Sequence, residues 1–159
     1  MRGLTPETDP RDISTMNREK ILQILHQFDD PRHFEAPPDF DYFQACQRVE
    51  RFMAKLDDAG IKLKNIYLKI NDSTHFAECH LSDDSLVNSS QGCLLLFSLF
   101  GGLVFIECPS DNIKDGVLDL MANVADSLSL HVVPFEIGEE TYEGPHHCGQ
   151  WRERFFEYY

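Results

Sequence analysis

Between Asn71 and Glu143 the chain carries 13 carboxylates against one cation, Lys114, out of 27 Asp+Glu and 14 Lys+Arg in 159 residues. Of the formal net charge of −13, −12 falls in this stretch (1 minus 13), so the rest of the chain is almost neutral. A folded surface of this kind projects a negative potential that speeds encounter with a basic partner and repels nucleic-acid phosphates. Binding of a basic protein partner is the chemistry expected of it, and binding of nucleic acid is not. The competing reading is that acidic surfaces only keep a protein soluble. Position on the fold decides between the two.

Asp111, Asp115, Asp119 and Asp126 recur at a spacing that, at about 100° per residue, lines one side of a helix expected over Asp111 to Leu128. Ile113, Val117, Leu120, Met121, Val124 and Leu128 share the opposite side. Like charges four residues apart cost an isolated helix roughly 0.2–0.5 kcal/mol per pair, so the stripe is locally unfavourable and points to use. Glu136, Glu139, Glu140 and Glu143 come soon after in the next loop. These eight carboxylates, joined by Phe156, are the candidate partner-binding residues.

Histidine and cysteine offer other chemistries. His146-His147-Cys148 is compact, but neighbouring side chains rarely converge on one ion, zinc wants four tetrahedral ligands, and neither CxxC nor HxxxH occurs elsewhere. The zinc-deaminase pattern of HxE followed by PCxxC is missed twice. His75 and Glu78 stand three positions apart rather than two, and Cys108 precedes Pro109 with no second cysteine behind it. No metal and no cofactor is expected. Gly101-Gly102 lacks the Lys and Ser/Thr of a phosphate loop, and Asp83-Asp84 and Glu139-Glu140 fall in polar loops where solvation keeps carboxylates ionised. A Cys/His nucleophilic pair needs closeness only in space. A small hydrolase or transferase of that kind is the enzymatic alternative, and an adaptor exposing an apolar groove is the other.

The elements that must position these residues read as an α+β domain: a single antiparallel sheet of about five strands, three main helices and a short C-terminal helix. After a leader over residues 1–14, Ile21, Leu22, Leu25 and Phe28 mark a helix from Thr15 to Phe28. Asp39 is placed to cap a second helix whose stripe is Phe40, Phe43, Cys46, Val49, Phe52, Met53 and Leu56, with Gly60 after its end. Ile66, Leu68 and Ile70 alternate as the covered face of a strand from Lys64. Asn71-Asp72-Ser73 turns into a strand from Thr74 to Leu81, and a polar loop spans Ser82 to Gln91. Gly92–Phe100 and Leu103–Glu107 form a hairpin across Gly101-Gly102. His131–Phe135 is a further strand at a sheet edge, since Pro134 cannot donate to a ladder. The last helix runs from Gly149 to Tyr159.

One domain of this length buries roughly two-thirds of its unfolded surface, so no staple is needed. Five scattered cysteines make no disulfide framework. With a polar segment from Met1 to Arg11 and no run near the roughly 20 apolar residues of a membrane helix, a cytoplasmic location and no membrane association are expected.

The C-terminal pattern is Tyr142-Glu143-Gly144, a short spacer, then Trp151-Arg152-Glu153-Arg154-Phe155-Phe156. Trp151 and Phe155 are expected to dock on the core and Phe156 to remain at the surface. On an acidic α+β domain of this size the ending resembles immunity proteins of bacterial polymorphic and contact-dependent toxin systems. The resemblance covers about the last 20 residues and the architecture. It implies a cytoplasmic antitoxin that binds a basic toxin domain and blocks its active site, without being an enzyme itself.

Overall fold

The computed structural model describes residues 10–34, 37–70, 74–100 and 102–156. The protein is an α+β fold built on one mixed five-stranded sheet in the order β1-β2-β3-β4-β5. The strands are β1 (Leu63–Leu68), β2 (His75–Leu81), β3 (Leu94–Ser98), β4 (Leu103–Glu107) and β5 (His131–Val133). Around them lie α1 (Pro10–Phe28), α2 (Tyr42–Asp58), α3 (Val117–Ser127), α4 (Phe135–Gly138) and α5 (Trp151–Phe155). Of the expected leader, residues 1–9 lie outside the described residues and the rest is already helical. None of the helices among the described residues is long and apolar enough to cross a membrane.

Strands β1 to β4 pair antiparallel, as expected, but β5 pairs parallel to β4, with Leu103, Val104 and Phe105 opposite His131, Val132 and Val133. The departure has a simple cause. The chain leaves β4, crosses over through α3 and re-enters the sheet from the end where β4 began, and such a crossover yields a parallel neighbour.

Both faces of the central strands are covered, which is why β3 and β4 read as nearly unbroken apolar runs. Phe97 on β3 meets Phe52 of α2, ring centroids 5.9 Å apart. On the other face Phe105 of β4 stacks on Phe156 at 4.9 Å and presses on Gly138, where any side chain would collide with its ring. Helix α2 buries Cys46, Val49, Phe52 and Leu56 at helical spacing, while Phe43 of the expected stripe is 71% exposed; the helix starts on Asp41 rather than Asp39, Asp41 accepting from Gln44 N at 3.1 Å. Gly60 takes φ +89° just past its end, where Gly60 N and Ile61 N close the last turn on Asp57 O and Leu56 O.

Strand β1 does not show the expected alternation. Lys64 and Tyr67 are three positions apart while their partners His80 and Glu78 are two apart, so one extra residue is bulged out, with Asn65 at φ +52°. A bulge reverses the facing of the residues beyond it. Leu63 and Leu68 turn inward opposite the buried Leu81 and Ala77, and Ile66 (48%) and Tyr67 (58%) stand exposed on the edge strand.

Candidate functional site

The carboxylate stripe is not a helical stripe. Helix α3 begins at Val117, behind Gly116 at φ +83°, while Ser110–Asn112 forms a separate one-turn 3-10 helix. Asp111 and Asp115 therefore lie off α3, Asp119 in its first turn and Asp126 near its far end, all four exposed. The cause is Asn112, a buried polar residue held by the preceding loop. Its Oδ1 accepts from Asn88 N and its carbonyl from Val87 N, both at 2.8 Å. Satisfying a buried side-chain amide outweighs the weak preference of an acidic segment for continuing the helix upstream.

This pull assembles a different acidic surface. The loop after β2 and the loop after β4 are tied by an antiparallel bridge between the buried Leu86 and Ile113, by Val87 N on Asn112 O, and by Lys114 N donating to Ser85 O at 2.9 Å. Asp83 and Asp84 from the first loop thus join Asp111 and Asp115 from the second at one end of the sheet, all exposed. Val87, 66% exposed, stands on the same loop pair. Lys64 Nζ reaches Asp83 Oδ1 at 2.9 Å, an exposed pair of little energetic weight. Glu136 braces the platform, accepting from Ser110 N at 2.8 Å and Ser110 Oγ at 2.7 Å. In the sequence Asp83 and Asp84 read only as a solvated loop pair, and Val87 as one residue of a polar loop. The signal available was two acidic turns flanking the hairpin, both at the same end of any antiparallel β2–β3–β4 arrangement.

The remaining candidates are dispersed. Glu139 pairs with Arg152 at 2.8 Å, Glu140 with Arg18 of α1, and Glu143 is exposed beside a cleft shared with Arg18 and His26. Asp126 lies near His131, at the far end of α3 from the platform. Phe156, expected at the surface, is wholly buried on Phe105. The α5 helix stops after one and a half turns, so the ring next to Phe155 turns under the sheet instead of continuing around a helix into solvent.

The C-terminal pattern is the frame of the fold. Arg154 is fully buried and donates from Nε to Asp29 Oδ1 at 2.7 Å and from its two terminal nitrogens to the carbonyls of Phe34 and His33 at 2.8 and 3.0 Å. Its guanidinium lies 4.7 Å from the Phe100 ring centroid and 5.0 Å from that of Phe155. Tyr142 donates its hydroxyl to the other oxygen of Asp29 at 2.7 Å. Its pKa is pushed up to about 12, by burial first and then by that bond. Gly144 is obligatory, because a methyl group there would overlap Asp29 Oδ2 and the Tyr142 hydroxyl. Trp151 packs against His26 and Tyr142, both at ring edges.

Four of the five thiols are shifted away from ionisation. Burial pushes the Cys79 thiol up to about 12 and raises those of Cys46 and Cys148, the wrong direction for a nucleophile. Cys93 and Cys108 stand in register one step beyond the Leu94–Glu107 pair and share a hydrogen bond, the donor Cys93 being raised and the acceptor Cys108 lowered. His146 is spent on Asp30 O at 2.8 Å and on the Phe34 ring. Among the described residues no three His, Cys, Asp or Glu side chains converge as metal ligands.

In comparisons with known proteins the chain matches no protein-family model, and no curated protein or solved structure matches it significantly.

Proposed function

We propose that the protein is a binding module that engages a basic protein partner through the acidic platform formed by the loops after β2 and β4. The observation that carries this reading is the convergence of Asp83, Asp84, Asp111 and Asp115 with the exposed Val87 on two loops cross-tied by backbone bonds. An apolar centre in a charged rim is the anatomy of a protein interface. Loops already fixed by Leu86, Ile113 and Asn112 lose little freedom on binding. The finer form of the proposal rests on the resemblance to immunity proteins: the partner is a cationic toxin domain, and occupation of its active site neutralises it. A Cys/His enzyme has less support, because neither described cleft is lined by a cysteine.

The test is pairwise expression with the product of the adjacent gene. Growth arrest by that product is expected to be relieved by the wild-type protein and not by Asp84→Lys/Asp111→Lys, with a complex that weakens from low to physiological salt. Full rescue by the double variant, or affinity indifferent to salt, would return the platform to a solvated surface.

A further inference from the structure

At the end of the sheet opposite the platform lies a cleft of about 450 Å³ between the first turns of α2, the β3–β4 turn and the start of β5. Its volume falls in the range of small-molecule sites, roughly 300–1,000 Å³. Phe28, Phe40 and Phe76 supply aromatic walls, Phe40 and Phe76 already in contact at 5.4 Å. One full positive charge lines it, Arg48, half-buried on the second turn of α2. The guanidinium lies over Gly102, where a Cβ would come within 3.1 Å of Nη1, and Gly102 at φ +71° is the residue that lets the turn pass beneath it. No hydrogen bond or ion pair to Arg48 is found among the described residues. Asp41 is occupied in capping α2, and Asp39 is at the exposed rim.

We propose that this cleft binds a small aromatic carboxylate, its ring among Phe28, Phe40 and Phe76 and its carboxylate on the Arg48 guanidinium. A guanidinium fork beside an apolar wall is suited to a planar, bidentate anion. His131, the other titratable group of the inner wall, is kept neutral near pH 7, its pKa lowered by burial and by Lys20 and Arg48 against the opposing effect of Asp126. Arg48 is then the one cation of the lining, half-buried where the Asp39 and Asp41 carboxylates are exposed at the mouth. The site is independent of the acidic platform, with which it shares no residue.

The experiment is a titration of isotope-labelled protein with 2-naphthoate and with the uncharged 2-naphthamide, monitored through the amide resonances of Gly102, Leu103 and His131. Saturable shifts at these amides are expected with the acid, and affinity at least tenfold weaker with the amide. Arg48→Met should lower acid affinity to the amide level while leaving the amide unchanged, and Ala45→Leu, which fills the cleft from α2, should weaken both. Absence of saturable shifts at millimolar acid, or equal affinity for acid and amide on the wild-type protein, would overturn the proposal. The acid–amide comparison needs no variant, so a misfolded Arg48→Met would not shield the proposal.

Discussion

Arg154 and Asp29 form a buried ion pair, Nε to Oδ1 at 2.7 Å, with side-chain exposures of 0% and 3%. The pair joins α5 to the end of α1, and its remaining valences are filled by Tyr142 and by the carbonyls of residues 33 and 34. A buried pair is of small net value against an apolar substitute, yet removal of one member strands the other charge. Arg154→Met should therefore cost about 3–5 kcal/mol, measured by urea unfolding. A loss below about 1 kcal/mol, the scale of a neutral hydrogen bond, would mean that Asp29 finds water in its place.

Gly144→Ala should be costly for a steric reason, since the added methyl would displace either Asp29 Oδ2 or the Tyr142 hydroxyl. A loss of about 1–3 kcal/mol is expected for such overpacking. At Gly60 nothing lies near an added methyl, and alanine there is opposed only by φ +89°, about 1–2 kcal/mol. Urea unfolding of the two variants measures both losses, and a neutral Gly144→Ala would show that Asp29 and Tyr142 yield to the added methyl.

Alkaline titration should single out Tyr142. Its folded pKa of about 12 lies above the unfolded value of about 10. The neutral phenol is the form the fold favours, so its stabilisation is complete below about pH 10 and is lost as pH rises towards about 12. One late phenolate absorbance step is expected in the native protein, and Tyr142→Phe should remove that step and flatten the alkaline fall in stability. A phenolate titration with every tyrosine near pH 10 would contradict the burial of this hydroxyl.

Charge reversal on α3 should act against the helical-stripe expectation. Because Asp119 is in the first turn of α3 and has no carboxylate four residues upstream on the same helix, Asp119→Lys relieves no repulsion and places a cation at the positive end of the helix dipole. Stability should fall by about 0.3–1 kcal/mol. A rise would restore the reading in which Asp111, Asp115 and Asp119 belong to one continuous helix.

Alkylation should track accessibility. Cys148 is half-buried and the other four thiols are buried, so at pH 8 Cys148 should be modified first and Cys46, Cys79, Cys93 and Cys108 only on unfolding. Labelling of Cys93 at the rate of Cys148, read by peptide mass spectrometry, would show that the platform end of the β3–β4 pair opens in the native state.

Much of the architecture is legible in the sequence where local and global preferences agree. The return strand Leu103–Glu107, the buried stripe Cys46–Val49–Phe52–Leu56 and the left-handed Gly60 all stand where periodicity and turn chemistry place them. The misread elements depend on partners distant in the chain. The bulge at Asn65 is set by pairing with His80 and Glu78, the late start of α3 by Asn112 reaching back to residues 87 and 88, and the parallel β5 by the crossover. For the site, the acidic excess was legible as a quantity, whereas its assembly from two loops depends on the Leu86–Ile113 bridge. Phe156 was misplaced because a helix that stops after Phe155 releases its neighbour from helical phase.

The Asp29–Arg154 closure sets a timetable for the nascent chain. The two residues are 125 positions apart, which at translation rates of about 5–20 residues per second separates their emergence from the ribosome by roughly 6–25 s. Throughout that interval the carboxylate at the end of α1 has no guanidinium, and the Phe105 face of the sheet has neither Phe156 nor α5 over it. The segment that seals α1 is thus made after every strand of the sheet, so this closure forms only once Arg154 has emerged.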